Sequence, residues 1–282
     1  MSKLHRHWIA FISAIITNSY FFGFIKRTIY TGKLKLFCSP GLNCYSCPLS
    51  IFACPIGIIQ HISASIRVNL SLKKYILGFY TLGLLGIFGI IGGRFICGWL
   101  CPFGFFQEVM YKIPIKKVKV NLKLLRYLKY LILLVMVILL PAIIVDKFNL
   151  GQTIFCRFFC PAGTLEAGLP LPLLMPSLRH LIGWNYYLKL TILLIFLISF
   201  LFIKRPFCRF FCPLGAIYSI FNKISFLQLK RDENKCVKCL KCVKNCPMEL
   251  ELDEICNNFN CIKCFECKKN CKFGAITSKF GG

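Results

Sequence analysis

The nine residues FCRFFCPAG at positions 155–163 recur as FCRFFCPLG at positions 207–215, with a single difference. A third copy of this C-x3-C-P-x-G pattern begins at Cys97, and a shorter copy, Cys54–Gly57, has Ser50 where the first cysteine would stand. Repetition of so specific a pattern indicates that one structural unit has been duplicated. The proline ends any preceding helix and the glycine permits a tight turn, although proline is also common at a helix start. Each copy adjoins a long apolar run, so we predict a unit of roughly one helix and one cysteine turn.

The composition is typical of a membrane protein. Of the 282 residues, 57% are hydrophobic and only 16% are charged, whereas soluble globular domains have about 25% charged residues. A net charge of +26 would indicate a nucleic-acid partner for a soluble protein. Here the basic residues lie between long apolar runs, as they do at membrane flanks. We therefore predict that the protein lies in a lipid bilayer and has no nucleic-acid partner.

Four apolar segments are long enough to cross a bilayer, whose hydrocarbon core of about 30 Å takes roughly 20 helical residues. They are His7–Ile25, Tyr75–Gly93, Tyr127–Val145 and Trp184–Ile203. No A-x-A-like site follows the first segment, so we interpret it as an uncleaved membrane helix. Glycines in the second segment either let neighbouring helices approach closely or form a flexible stretch; they are Gly78, Gly83, Gly86, Gly89, Gly92 and Gly93.

The basic residues beside the spans predict a multi-pass protein of the cytoplasmic (inner) membrane with both termini in the cytoplasm. Seven basic residues stand between the second and third spans, and Lys204, Arg205 and Arg209 open the tail. Only three basic residues lie between the third and fourth spans, although the loop after the first span is also basic. The excess on one side favours this orientation.

Two runs of four cysteines in the tail share the spacing C-x2-C-x2-C-x3-C, followed by Pro247 in the first run and by Lys272 in the second. In this spacing three thiolates bind one iron–sulfur cubane and the fourth binds its neighbour. We name the predicted ligand sets tail set 1, Cys236, Cys239, Cys242 and Cys271, and tail set 2, Cys246, Cys261, Cys264 and Cys267. Zinc is the alternative, but two complete runs favour 4Fe-4S clusters. Cys256 fits neither run and is interpreted as a bystander.

From Lys235 to Thr277 the sequence resembles the bacterial two-cluster ferredoxins, including Phe273–Ile276 directly after the last cysteine. The resemblance implies a small α+β ferredoxin-like domain with two 4Fe-4S clusters. The predicted fold is therefore an α-helical membrane protein of about four transmembrane helices joined to this domain. We expect residues 1–222 to form the transmembrane domain with the four C-P-x-G repeats, and residues 223–282 to form the cytoplasmic ferredoxin domain.

The segments Arg94–Gln107, Phe155–Leu165 and Phe207–Tyr218, together with the tail, resemble the integral-membrane polyferredoxins of the NapH and NosR type. Those proteins are found beside periplasmic nitrate and nitrous-oxide reductases. The resemblance implies iron–sulfur electron transfer. This chain departs from the family pattern in having a third full C-x3-C-P motif and a cysteine-rich loop near its N-terminus. These departures affect the expected identity of the physiological partner more than the expected redox function.

The predicted topology divides the other ten cysteines between the two sides of the membrane. The inner set, on the cytoplasmic side, is Cys97, Cys101, Cys208 and Cys212, and four thiolates are the number that one cubane needs. The six on the outer side are Cys38, Cys44, Cys47, Cys54, Cys156 and Cys160. Repeat symmetry favours a cluster on Cys47, Cys54, Cys156 and Cys160. A loop-only cluster and a Cys156–Cys160 disulfide are the alternatives, but ligation is favoured because a bare thiolate is costly in hydrocarbon.

The thickness of the membrane constrains electron transfer between these sets. A core of about 30 Å is too wide for one direct hop, so either the cysteine turns dip inward or a quinone or partner subunit bridges the gap. Arg94, Arg157 and Arg209 flank the turns. Their charge would raise the reduction potential of a cluster, and anchoring to lipid headgroups explains them equally well.

The sequence thus predicts an electron-transfer component of an oxidoreductase system rather than a stand-alone enzyme. It contains no dinucleotide fingerprint, Walker loop or suggested Ser-His-Asp group. Electrons would pass between a cytoplasmic or quinone-pool donor and a redox partner at the membrane. The basic tail favours an acidic ferredoxin or flavodoxin as partner, and attraction to anionic lipid is the alternative. A different function, reduction of thiols or metals during assembly or regulation of another enzyme, also fits the cysteines.

Overall fold

The computed structural model describes residues 3–71, 78–120, 123–146, 151–256 and 258–280, and this part of the chain is mostly helical. Its α-helices are α1 (Lys3–Thr17), α2 (Phe22–Lys26), α3 (Pro55–Ser71), α4 (Phe79–Gly92), α5 (Phe95–Trp99), α6 (Pro102–Tyr111), α7 (Leu128–Ile132), α8 (Leu140–Ile143), α9 (Pro161–Gly163), α10 (Pro170–Leu174), α11 (Trp184–Phe202), α12 (Pro213–Phe221), α13 (Lys241–Asn245) and α14 (Glu266–Lys269). Short 3-10 helices are Lys33–Leu36, Leu124–Tyr127 and Pro176–Leu181. The π-helical segments are Leu133–Leu139, Phe155–Phe159, Thr164–Gly168 and Phe207–Phe211.

Three helical stretches in the described residues are long and apolar enough to cross a membrane: His5–Lys26, Leu124–Ile143 and Trp184–Phe202. They correspond to the first, third and fourth predicted spans. The second predicted span is represented by α4, which has 14 residues and is shorter than the roughly 20 that a bilayer requires. Its first three predicted residues, 75–77, lie outside the described part. The structure therefore supports three spans and does not confirm a fourth.

Four helices alternate in direction, as their contacts with the tail show. The start of α1, the end of α4, the 3-10 helix before α7 and the repeat turn after α11 all meet residues after position 225. The contacts are Arg6–Glu266 at 3.7 Å, Phe226 N–H to Ile90 C=O at 2.8 Å, Arg126–Glu254 at 2.6 Å and Arg209–Glu249 at 2.8 Å. The N-terminus and the tail consequently lie on the same side of the helical part.

Aromatic side chains fill the centre of the helical part. The rings of Phe103 in α6 and Phe196 in α11 both meet Phe207 edge-on, with centroid distances of 5.2 and 5.4 Å, a favourable arrangement for aromatic pairs. Phe200 and Phe207 are fully buried. This cluster fixes the fourth repeat against α6 and α11, and so positions its cysteines.

The glycines of α4 do not pack uniformly against other helices. A Cβ at Gly89 would lie 2.6 Å from the Phe221 ring of α12, whereas one at Gly83 or Gly86 would meet nothing within 4 Å. Close approaches also occur at Gly78, against Ile62, and at Gly93, against Asn222, so the predicted close packing holds at these glycines and not at Gly83 or Gly86.

The tail contains one small sheet. Strands β1 (Leu227–Arg231) and β2 (Ile276–Phe280) pair antiparallel, with Leu229 opposite Ser278. The two cysteine runs lie between these strands, and α13 and α14 are each one short helix within a run. Because β1 and β2 pair, both ends of the tail segment are held together around the cysteines.

Candidate metal centres

The three full repeats share one backbone turn before the second cysteine. In each, the N–H of that cysteine donates to the carbonyl five residues earlier, which is π-helical geometry. The bonds are Cys101 to Ile96 at 3.1 Å, Cys160 to Phe155 at 2.9 Å and Cys212 to Phe207 at 2.9 Å. The proline that follows begins α6, α9 or α12. At the first position of a helix the backbone N–H has no partner within the helix, so a proline there sacrifices no hydrogen bond. The repeated sequence therefore produces a repeated turn.

The second cysteine is also the N-cap of the following helix. The thiols of Cys160 and Cys212 accept the N–H of Gly163 and Gly215 at 3.3 and 3.4 Å. Gly163 has helical backbone angles (φ −63°), so the tight turn expected at this glycine is wrong and the helix start is the correct alternative. A Cβ at Gly163 would lie 3.6 Å from Cys44 Sγ, an ordinary van der Waals distance, so the space here does not by itself require glycine.

The second and fourth repeats bring the inner set together. All four of its cysteines, Cys97, Cys101, Cys208 and Cys212, are buried. Burial, reinforced by the neighbouring Cys208, Cys97 and Cys101, raises the pKa of the Cys212 thiol. Gln107 Nε2 donates to Cys208 Sγ at 3.1 Å. Such a group of buried soft ligands, with amide donors aimed at sulfur, fits a 4Fe-4S cluster.

The first and third repeats line a cavity of about 810 Å³ at the end of the molecule opposite the tail. Four cysteines lie in its wall, and we name them the outer set: Cys44, Cys54, Cys156 and Cys160. Gln60 Nε2 donates to Cys156 Sγ at 3.0 Å. Burial, with contributions from Cys156, Cys44 and Cys54, raises the pKa of the Cys160 thiol. This donor set also fits a 4Fe-4S cluster.

Cys44 takes the place that repeat symmetry gave to Cys47. The backbone N–H of Cys44 donates to Glu166 Oε2 at 2.5 Å, which holds Cys44 beside the third repeat. The Cys47 thiol lies 4.0 Å from Asn18 Oδ1 and is not in the cavity wall. Cys38 is buried and is not in the cavity wall either. The cavity therefore favours Cys44 over the Cys47 that repeat symmetry selects, and the ligand at this position stays a prediction.

One loop, Ser39–Cys44, separates the inner and outer sets. A Cβ at Gly41 would lie 2.8 Å from Cys101 Cα, and the next residue, Leu42, lines the outer cavity. The hydroxyl of Tyr218 donates to Pro40 C=O at 2.9 Å and fixes the loop. One side of this loop thus meets the inner set and the other meets the outer cavity, as expected if the cysteine turns dip inward from the membrane faces.

The two tail sets line two separate small cavities. Tail set 2 lines one with all four of its cysteines, and tail set 1 lines the other with all four of its own. The runs have matching backbones, since Lys238 and Leu240 in the first, and Lys263 and Phe265 in the second, have left-handed φ angles. Each cavity therefore draws three cysteines from one run and one from the other, as the spacing predicts.

Cys256 is not isolated from the tail sets. It lies in the wall of the tail set 2 cavity together with Cys267. The backbone at Cys256 has a left-handed φ of 77°. Sequence reasoning missed this residue because it stands outside both runs, and no spacing signal places it there.

Tail set 2 lies directly against the inner set. A Cβ at Gly98, between Cys97 and Cys101, would lie 2.6 Å from the carbonyl of Ile262. Trp99 Nε1 donates to Lys263 C=O at 3.1 Å. Both Ile262 and Lys263 lie between two ligands of tail set 2. The absence of a side chain at Gly98 therefore allows the two centres to approach.

Two of the three flanking arginines are buried against the tail. Arg94 is fully buried and donates to Cys208 C=O and Asn260 C=O, both at 3.0 Å. Arg209 is 1% exposed and pairs with Glu249. Headgroup anchoring is thereby excluded for these two, while Arg157 is exposed. Lys129 is also buried and donates to Asn260 Oδ1 at 2.5 Å.

All nineteen cysteines fall within the described residues, and none forms a disulfide. Cys156 and Cys160 each accept a separate N–H bond, from Gln60 and Gly163, so the disulfide alternative is not found. Within the ranges that the structure describes, no three Cys, His, Asp or Glu side chains converge on the position of a single ion.

Comparison with known families identifies the repeats. Residues 52–73, 76–121, 130–169 and 187–231 match the 4Fe-4S binding domain family. This chain belongs to that family. Each matched segment contains one C-P-x-G repeat, and the tail cysteines lie beyond the last segment. The cofactors of the protein are accordingly 4Fe-4S clusters.

Curated relatives agree with this assignment. The chain is 34% identical to the uncharacterized protein MJ0750 of Methanocaldococcus jannaschii, over 73% of this chain and 77% of the relative. It is 24% identical to the methylamine utilization ferredoxin-type protein MauN of Methylobacillus flagellatus, over 59% and 53% of the two chains. It is 25% identical to the ferredoxin-type protein NapH of Haemophilus influenzae, over 57% and 50%. The resemblance to NapH-type proteins is confirmed, although the match spans about half the length of the latter two relatives. No solved structure matches.

Proposed function

We propose that this protein transfers electrons between a ferredoxin domain, residues 223–282, and a cavity in its membrane domain, residues 1–222. Clusters bound at the four cysteine sets would supply one-electron oxidation and reduction. The residues of the chain supply the spacing, burial and hydrogen bonds around each set. The observation that carries the proposal is the uninterrupted order of the sets: tail set 1, tail set 2, inner set, outer set.

Shared and touching residues support this order. Cys246 of the first run belongs to tail set 2, and Cys271 of the second run belongs to tail set 1, so the tail sets are neighbours. Trp99 contacts Lys263 between tail set 2 and the inner set. Gly41 lies against Cys101 of the inner set, and Leu42 lines the outer cavity. An electron would thus never need to cross the full thickness of a bilayer in one step.

The cavity at the outer set supports a quinone as the exchange partner in the membrane. Its volume of about 810 Å³ exceeds the space that one cubane needs, and its wall is mostly apolar. His61, Tyr186 and Lys189 add polar groups to that wall. An apolar cavity with a few polar groups is typical of small-molecule sites, and these groups suit the two oxygens of a quinone ring.

The surface around tail set 1 supports a soluble redox partner in the cytoplasm. Cys239 is exposed, and three apolar side chains beside this set are also exposed: Val237, Leu240 and Phe273. Exposed lysines surround them: Lys235, Lys238, Lys241, Lys244 and Lys272. An apolar patch with a basic rim is complementary to an acidic ferredoxin or flavodoxin. This assignment places both termini on the cytoplasmic side of the inner membrane.

The test is quinone reduction by reduced flavodoxin, with the protein in anaerobic liposomes and cluster absorbance followed in parallel. The wild-type protein is expected to reduce quinone. Cys212→Ser, in the inner set, is expected to keep reducible tail clusters but to lose quinone reduction. Cys38→Ser, outside all four sets, is the matched control and is expected to behave as wild type.

Either of two results would contradict the proposal. Quinone reduction that survives Cys212→Ser would show that the membrane sets are not in the path. The thiol-reducing alternative would be supported if the protein reduced disulfides, if this activity depended on Cys38, and if the clusters were not oxidised and reduced during it.

A further inference from the structure

The four repeats have polar residues at one equivalent position, six residues after the second cysteine. The residues there are Gln60, Gln107, Glu166 and Tyr218. The position lies in the second turn of the helix that begins at the repeat proline. Because the four helices start alike, the four side chains can have related roles.

The two glutamines bond to cysteines of other repeats. Gln60, in the first repeat, donates to Cys156 Sγ of the third at 3.0 Å, and Gln107, in the second, donates to Cys208 Sγ of the fourth at 3.1 Å. Both glutamines are fully buried. Each therefore bonds to the first cysteine of the repeat two positions later, and each belongs to a different cysteine set.

Other hydrogen bonds fix which end of each amide faces sulfur. Gln60 Oε1 accepts the N–H of Phe155 at 3.0 Å, so Nε2 must point to Cys156. Gln107 Nε2 also donates to Phe103 C=O at 3.3 Å, which only the amide nitrogen can do. The sulfur contacts are thus N–H donations in both sets.

The corresponding residues of the third and fourth repeats act on the loop instead. Glu166 accepts the N–H of Cys44, and Tyr218 donates to Pro40 C=O. Both bonds hold the loop that separates the inner and outer sets. At this position, therefore, two repeats have a side chain that donates to a cysteine sulfur, and the other two have a side chain that holds the loop.

We infer that Gln60 and Gln107 are positioning residues that set the reduction potentials of the outer and inner clusters, each acting on one cluster alone. This rests on the proposed assignment of clusters to these sets. An N–H bond to a ligand sulfur stabilises the more negative, reduced cluster and raises its potential. The effect is strengthened by burial, where water does not compete for the sulfur.

The test is an anaerobic redox titration followed by electron paramagnetic resonance on fully loaded protein. Gln60→Leu is expected to lower the potential of the outer cluster, and Gln107→Leu that of the inner cluster. At a fixed ambient potential the reduced-to-oxidised ratio of the affected cluster should fall about tenfold, equal to about 59 mV for a one-electron couple. Cys156→Ala and Cys208→Ala assign the signals, since each removes a ligand of one set.

Two further variants separate tuning from folding. Gln60→Glu, titrated at a pH at which its carboxyl is ionised, keeps an oxygen for the N–H of Phe155 but removes the donor to sulfur, so it should lower the outer potential while retaining iron. Gln228→Leu, whose amide donates to Lys223 C=O on the surface, is the matched control and should move no potential.

The inference is overturned if the loaded variants leave every potential unchanged, if one variant shifts both membrane clusters alike, or if Gln60→Leu and Gln60→Glu both lose their iron. The proposed function fails separately, when the wild-type protein itself lacks the inner and outer clusters.

Discussion

The second cysteine of each full repeat combines a ligand position with a structural one. Its own N–H closes a π-helical turn in all three repeats, and in the third and fourth repeats its thiol also caps the helix that the next proline begins. The C-P-x-G sequence is therefore required by backbone geometry as well as by the cluster. Glycine at the fourth position keeps a side chain away from the carbonyl or thiol of a neighbouring ligand.

Gly104→Ala tests that role in the inner set. The added Cβ would lie 3.0 Å from Cys97 C=O, and accommodating it is expected to cost about 1–3 kcal/mol of stability. We expect a lower melting temperature and less iron at the inner set. Gly86→Ala, where a Cβ meets nothing within 4 Å, is the matched control and should retain full iron. Equal losses in both variants would contradict this explanation.

Cys44 and Cys47 differ by three positions and should differ completely in function. Because Cys44 lies in the outer cavity wall and Cys47 does not, Cys44→Ser should lose one cluster, about four iron per chain. Cys47→Ser should keep its full iron content. Iron analysis of the two variants decides between them, and the reverse result would restore the assignment from repeat symmetry.

At the scale of elements, buried charges join the helices to one another and, through Arg6 and Glu266 at 3.7 Å, to the tail. Glu108 in α6 pairs with Arg205 after α11 and with Arg6 in α1, both at 2.9 Å. Burial would raise the pKa of Glu108, but these two arginines hold it below its ordinary value. The carboxylate thus compensates two buried cations near tail set 2.

Removing that carboxylate should loosen the tail. Glu108→Gln leaves Arg205 and Arg6 without their shared counter-ion, a change that typically costs about 3–5 kcal/mol for a buried pair. We expect a lower melting temperature and faster proteolysis between the helical part and residues 223–282. Glu251→Gln, at the exposed Lys123–Glu251 pair, is the control and should change neither. Unchanged proteolysis of Glu108→Gln would rule out this role.

The ferredoxin tail and the inner set follow from the sequence because their cysteines are close in sequence or belong to matching repeats. Local spacing determines a local turn, and a turn determines which thiols share a side. The roles of Arg94 and Arg209 could not be predicted, since their partners in the tail are distant in sequence and replace the lipid contacts that proximity to a span suggests.

The position of Cys44 in the outer cavity wall could not be predicted from the sequence for a related reason. The loop that supplies it has no counterpart in the other repeats, and its position depends on bonds from Glu166 and Tyr218. Repeat symmetry applies only where the repeats are complete. The first repeat, with Ser50 in place of a cysteine, is incomplete, so the cavity wall and not symmetry is the basis for predicting Cys44 as a ligand.

At the scale of the whole molecule, the cysteine sets follow one another from the surface of the tail to a cavity at the other end of the helical part. Contacts at Trp99, and at Gly41 and Leu42, join successive sets. The NapH-type resemblance implied the redox class, while the continuity of the sets required the three-dimensional arrangement. The central claim is that all four sets bind a cluster.

Iron and acid-labile sulfide per chain, measured on anaerobically purified protein, test that claim most directly. Four clusters predict about 16 iron and about 16 sulfide, with four of each per cluster. A value of about 8 of each would confine the clusters to the tail and contradict electron transfer through the membrane sets.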